Sequence, residues 1–219
     1  MNYKFLVLTL LTFSFLSCKQ DYNLTRIEGK RIEINDSLIG DKNVEAFIKP
    51  YREHVNSDLD SVLSYAVDTY SKTDGELNTA IGNLMADAVL EMSNPVYKTR
   101  TENPIDMVLL NHGGIRAIIS KGNVTTRTAY QVMPFENSVV VTEMKGIHIK
   151  EMVSYLERAK RAHPISGLKI SLDKNDKLIK ATINGEQIDD SKTYHVATND
   201  YLYNGGDRMT SVSYTHLRA

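Results

Sequence analysis

Ile105-Asp106-Met107-Val108-Leu109-Leu110-Asn111-His112-Gly113-Gly114-Ile115-Arg116 is the stretch on which the reading of the fold turns. Its first half is a short apolar run holding one carboxylate. That length, closed by turn residues, predicts a short buried strand. Its second half leaves the strand into a glycine pair. Glycines let the backbone approach a ligand closely, and their N–H groups can face an anion. Arg116 then offers a planar fork for phosphate or carboxylate. By itself the glycine pair also fits a plain turn.

Upstream, Leu77, Ile81, Leu84, Met85 and Ala88 form the clearest helical stripe in the chain, with Asn78 as the expected N-cap. Ser61 to Tyr70 alternates loosely and predicts a strand. Val44, Ile48, Tyr51, Val55 and Leu59 recur every three to four residues, so an amphipathic helix is expected, with Pro50 in its first turn or bending it. Arg26 to Leu38 places Ile27, Ile32 and Ile34 among charges, a weak strand signal.

Downstream, a short helix is expected over Thr126 to Met133, stopped by Pro134, and then a strand over Ser138 to Met144. Ile149, Met152, Val153 and Leu156 mark another helix. Leu168–Leu172 and Leu178–Ile183 flank Lys174-Asn175-Asp176-Lys177 as a hairpin, and Tyr194 to Thr198 is a last strand. Helices and strands alternate irregularly around a hairpin. The fold class is therefore α+β, a single domain over residues 41–210 with a mixed or antiparallel sheet and flanking helices.

The whole chain has 219 residues, of which 42% are hydrophobic and 24% charged, which suits one globular core. Its 26 basic and 27 acidic residues leave a formal charge of −1, so no basic field exists to hold a nucleic acid. The single Cys excludes an internal disulfide and a thiolate metal cluster.

The two ends carry other signals. Lys4 precedes an apolar run from Phe5 to Leu16, too short for a bilayer span of about 20 residues but suited to a signal peptide over residues 1–17. The run ends in Leu16-Ser17-Cys18, which looks like a bacterial lipobox. Cys18 is the expected lipidation site, and residues 18–40 the tether. The exported protein is then anchored to a bacterial membrane, facing the periplasm or the cell surface. At the other end, Val212 to Ala219 back-translates to a tagmentation adapter. Residues 212–219 are expected to be translated adapter, and the domain to be cut short before them.

Three more constellations accompany Asn111–Arg116. Gly82-Asn83-Leu84-Met85-Ala86-Asp87 places Asn83 and Asp87 on one helix face, where they line a pocket or merely edge the apolar stripe. Pro134-Phe135-Glu136-Asn137 sets an aromatic ring beside an amide, which suits a nucleobase or a plain turn. Thr198-Asn199-Asp200-Tyr201-Leu202-Tyr203-Asn204-Gly205-Gly206-Asp207 gathers aromatics and carboxylates at a glycine turn.

Taken together and in this order, the four motifs resemble the C-terminal domain of the 5′-nucleotidase family. The resemblance spans residues 44 to 209 and includes His163-Pro164-Ile165-Ser166-Gly167-Leu168. It implies a nucleotide-recognition domain. Phe135 and Tyr201 would sandwich the base, Asn137 would contact its edge, Asp207 would bind the ribose hydroxyls, and Arg116 would hold the phosphate-sugar part. Beside these, Asn83, Asp87, Asn111, Gly113 and Gly114 are the candidate lining of a pocket. The family often carries further arginines before the GNL helix. Tyr70-Ser71-Lys72-Thr73-Asp74-Gly75 has none, and Lys72 is a point charge rather than a fork.

Hydrolysis in the family belongs to a metallophosphatase domain with D-x-H, G-N-H-[DE] and H-x-H runs. None of the six His of this chain lies in a D-x-H or H-x-H run, and Asn111-His112 belongs to the glycine loop. No catalytic residue, metal ligand or cofactor is therefore expected in this chain. The divalent metals are expected in a separate metallophosphatase subunit, making this the recognition half of a split enzyme of nucleotide catabolism. The alternative is a non-catalytic nucleotide-binding lipoprotein or an interaction module.

Overall fold

The computed structural model describes residues 24–35 and 37–212. The chain divides into two compact units, residues 1–48 and 49–219. The signal peptide and Cys18 lie outside the described residues, as do residues 213–219.

Residues 24–35 adopt no regular structure, so the weak strand expected between Arg26 and Leu38 is not formed there. Ile27, Ile32 and Ile34 are exposed, and no second strand pairs with them among the described residues. Helix α1 (Lys42–Leu59) forms as its spacing predicts. The Asp41 carboxylate caps it by accepting from the Asn43 and Val44 amides at 2.8 and 3.2 Å. Pro50 falls mid-helix rather than in the first turn, where it removes one ladder donor.

The second unit is built on a four-stranded mixed sheet. Its strands are β2 (Met107–Leu109), β4 (Val139–Lys145), β5 (Ile165–Ser166) and β9 (Thr193–Asn199), in the order β4-β9-β2-β5. β9 is antiparallel to β4 but parallel to β2, and β5 is antiparallel to β2. Helix α2 (Ala80–Thr101) covers one face and α4 (Gly146–Ala159) the other. Strand periodicity explains the layering. Met107 and Leu109 of β2 join Met144, Ile149, Met152, Val153 and Val196 on the α4 side. Val108 and Leu110 join Ala86, Ile105 and Ala197 on the α2 side. Both faces of β2 are thus buried, which is why its sequence is a continuous apolar run.

The N-cap of α2 is Thr79 rather than Asn78. The Thr79 hydroxyl accepts from the Gly82 amide at 3.2 Å. Leu77 stands outside the helix, and Pro95 lies within it. β1 (Val62–Ala66) pairs antiparallel with β3 (Gly122–Thr125), a strand with no clear signal in its sequence. Thr125 and Thr128 then form a capping box at the start of α3 (Thr126–Val132).

The expected hairpin is present as β6 (Leu168–Leu172) and β7 (Leu178–Ile183), extended by β8 (Glu186–Gln187). Its turn is held by Asp173, whose Oδ1 accepts from the Asn175 and Lys177 amides at 2.8 Å each. Those bonds draw the Asp173 carboxyl below its usual range. α5 (Asp200–Tyr203) and two 3₁₀ turns, Gly206–Arg208 and Thr210–Val212, close the described chain. Val212, assigned above to the adapter, is fully buried in the core on the α4 side.

Candidate functional site

The parallel pairing of β2 with β9 puts their C-terminal ends side by side, and antiparallel β4 begins at the same end. Three segments therefore meet there: Asn111–Arg116 after β2, Asn199–Asp207 from the last residue of β9 onward, and Phe135–Ser138 before β4. Two contacts lock them together. Asn199 Nδ2 donates to Asn111 Oδ1 at 2.8 Å, with both residues buried. The Asp200 amide donates to the Ser138 carbonyl at 3.0 Å. Asn199 Oδ1 meanwhile caps α5 by accepting from the Leu202 amide at 2.9 Å.

Arg116 and Phe135 form one half of the site. The Arg116 guanidinium carbon lies 5.9 Å from the Phe135 ring centroid, at the outer reach of a cation–π contact. Arg116 Nη1 also makes a long 3.5 Å contact to the Gly113 carbonyl. Gly114 is buried: a Cβ there would stand 3.2 Å from both Asn111 Oδ1 and Met133 Sδ. Gly113 is less confined, with Asn111 Nδ2 at 3.5 Å as its nearest atom.

Tyr201 and Asp207 form the other half. The Tyr201 hydroxyl donates to Asp207 Oδ1 at 2.9 Å. Ionising the phenol would lose that bond to a carboxylate, so its pKa is raised. The Tyr155 hydroxyl of α4 donates to the Asp207 carbonyl at 2.8 Å. Gly206 passes directly beneath the Tyr201 ring, where a Cβ would stand 2.4 Å from a ring carbon. Asp207 and Arg208 follow at φ 52° and 58°, consecutive left-handed residues that turn the chain sharply.

Phe135 is 48% exposed and Tyr201 45% exposed, so each ring keeps surface available to a ligand. The two rings make no contact with each other among the described residues. Asn137 is half-buried beside Ser138. Of the helix pair, half-buried Asn83 lines a pocket of about 430 Å³ with Arg161 and His163. Exposed Asp87 is not part of that lining. The Asp200 Oδ1 atom is buried and accepts no hydrogen bond among the described residues.

A support missed at the residue level runs through two histidines. His112 Nδ1 lies 3.0 Å from the Ala162 carbonyl and donates to it. His163 Nδ1 lies 3.3 Å from the His112 amide and 3.2 Å from the Leu110 carbonyl. It cannot accept from one and donate to the other at once; a neutral ring with bare Nδ1 takes the amide. Burial pushes the His163 pKa below its ordinary 6.5. The Leu110 carbonyl and Asp207 oppose that shift, while His112 and Arg161 add to it. Among the described residues, no three His, Cys, Asp or Glu side chains converge as a metal site.

Residues 60–214 match the family model for the 5′-nucleotidase, C-terminal domain. The chain belongs to this family. As a 5′-nucleotidase C-terminal domain it is 38% identical over 108 residues to Protein UshA of Salmonella pullorum, covering 47% of this chain and 19% of that protein. It is 23% identical over 214 residues to an apyrase of Tabanus yao, covering 88% of this chain and 39% of that one. Its fold matches the crystal structure of a 5′-nucleotidase precursor from Thermus thermophilus with a TM-score of 0.61 at 27% identity, covering 78% of this chain and 35% of the other. The chain thus spans well under half the length of the relatives it matches.

Proposed function

We propose that this 5′-nucleotidase C-terminal domain is the nucleotide-recognition subunit of a 5′-nucleotidase-type hydrolase, working with a separate metallophosphatase subunit. The observation that carries this reading is the convergence of the Arg116–Phe135 and Tyr201–Asp207 pairs at one end of the sheet. A nucleobase fits between the exposed faces of Phe135 and Tyr201, where stacking is worth about 1–3 kcal/mol per base. Asn137 reads the base edge. Asp207 accepts from the ribose hydroxyls through the oxygen that Tyr201 does not occupy. Arg116, steadied against Phe135, meets the phosphate-sugar part.

Divalent metals in the partner subunit supply the activated water. This chain contributes position: it holds the nucleotide so that its 5′ side is presented to the partner. The apolar leader and Cys18 support export and a lipid anchor on a bacterial membrane, with this work done in the periplasm or at the cell surface.

The test is phosphate release from AMP with Mn²⁺ or Mg²⁺, using this protein alone, a secreted metallophosphatase encoded beside it alone, and the two combined. Release that rises only in the combination is expected. No gain on mixing contradicts the split-enzyme reading and leaves a nucleotide-binding lipoprotein.

A further inference from the structure

A second pocket, of about 430 Å³, has Asp207 in its lining. Tyr155, Arg158 and Arg161 line it from the end of α4 and the residues after it, with His163, Asp207 and Arg208. None of the three arginines has an ion-pair partner among the described residues, whereas neighbouring Lys160 is paired with Asp176. Asp207 is the one carboxylate in the lining, and its Oδ1 is already taken by the Tyr201 hydroxyl. The left-handed turn at Asp207 and Arg208 brings the third guanidinium to this wall.

The charge balance therefore favours an anion. Three full positive charges face one carboxylate and the C-terminal end of α4, whose dipole counts for only about half a negative charge. Guanidinium groups suit phosphate because their forked donors match its oxygens. The pocket shares Asp207 with the proposed ribose site but contains none of Arg116, Phe135 or Asn137. Sharing Asp207, and not Arg116, suits it to a group attached at the sugar hydroxyls of a nucleotide whose ribose Asp207 holds.

We infer that the Arg158–Arg161–Arg208 pocket binds a phosphate group, carried on the 2′ or 3′ side of a nucleotide or arriving as free phosphate. The ribose-side source rests on the role proposed above for Asp207; the phosphate site itself does not.

Titration calorimetry on the whole protein tests this with three probes: AMP, adenosine 3′,5′-bisphosphate and inorganic phosphate. The comparison is a variant carrying Arg158→Gln, Arg161→Gln and Arg208→Gln. All three side chains are exposed, and an unchanged thermal midpoint confirms that the variant folds. The bisphosphate is expected to bind at least about tenfold tighter than AMP, and the triple variant to lose that advantage while keeping its AMP affinity. Phosphate heat that is lost in the triple variant, without a bisphosphate advantage, upholds the site with free phosphate as its ligand. Equal binding of bisphosphate and AMP with no phosphate heat overturns the inference, as does an advantage that survives the triple variant. Failure of both AMP and bisphosphate to bind, with phosphate still bound through the arginines, counts against the nucleotide reading alone.

Discussion

The side-chain amides of Asn111 and Asn199 are joined by a 2.8 Å hydrogen bond that ties the loop after β2 to the end of β9. The two residues are 88 positions apart, yet this bond sets the spacing between the two halves of the site. Since Asn199 Oδ1 is committed to the Leu202 amide, its Nδ2 has Asn111 as partner.

Asn111→Ala leaves that buried donor unsatisfied. Unfolding stability is expected to fall by about 1–3 kcal/mol, the usual cost of a buried polar group losing its partner. Urea denaturation measures this. A loss below about 0.5 kcal/mol means the bond does not hold the loops together.

Gly206→Ala introduces a methyl group 2.4 Å from the Tyr201 ring. The ring must move, and its bond to Asp207 moves with it. AMP affinity is expected to fall to the level of Tyr201→Ala, with near-native secondary structure by circular dichroism. Native affinity in Gly206→Ala places the ring outside the binding surface.

His163 makes stability depend on pH in a definite direction. Burial lowers its folded pKa below the unfolded 6.5, so the unfolded chain takes up its proton first as pH falls. The contribution is complete above about pH 6.5 and is lost as pH falls through that value toward the folded pKa. The Asn side chain in His163→Asn offers Oδ1 near the Nδ1 position without titrating. Urea midpoints from about pH 8 to pH 5 are expected to fall less steeply in this variant than in the parent. Parallel profiles show that His163 is not the group responsible.

Much of this was legible in the sequence because it rests on local chemistry. Ile105–Leu110 read as a buried strand because both its faces are covered, and the Lys174–Lys177 turn read as a hairpin because short polar turns carry their own signals. β3 was not legible: Gly122-Asn123-Val124-Thr125 is four residues with two strand breakers, and it is a strand only because β1 pairs with it. Ile27, Ile32 and Ile34 show the converse: β-branched residues that form no strand, with no partner strand beside them among the described residues. Asn78 and Thr79 are both good caps, and sequence alone does not choose between neighbours. The site motifs were visible as motifs, but not their supports. Tyr155, His163 and the Asn111–Asn199 bond act across about 50 residues or more of chain.

A nucleotide lying between Phe135 and Tyr201 is the central claim, and calorimetric titration of AMP into the protein and its Phe135→Ala variant tests it most directly. Phe135 is 48% exposed, so its truncation leaves the core intact. Saturable binding is expected in the parent and binding weaker by about 1–3 kcal/mol in the variant, roughly 5- to 150-fold. Absence of binding in the parent, or equal affinity in both proteins, contradicts the claim.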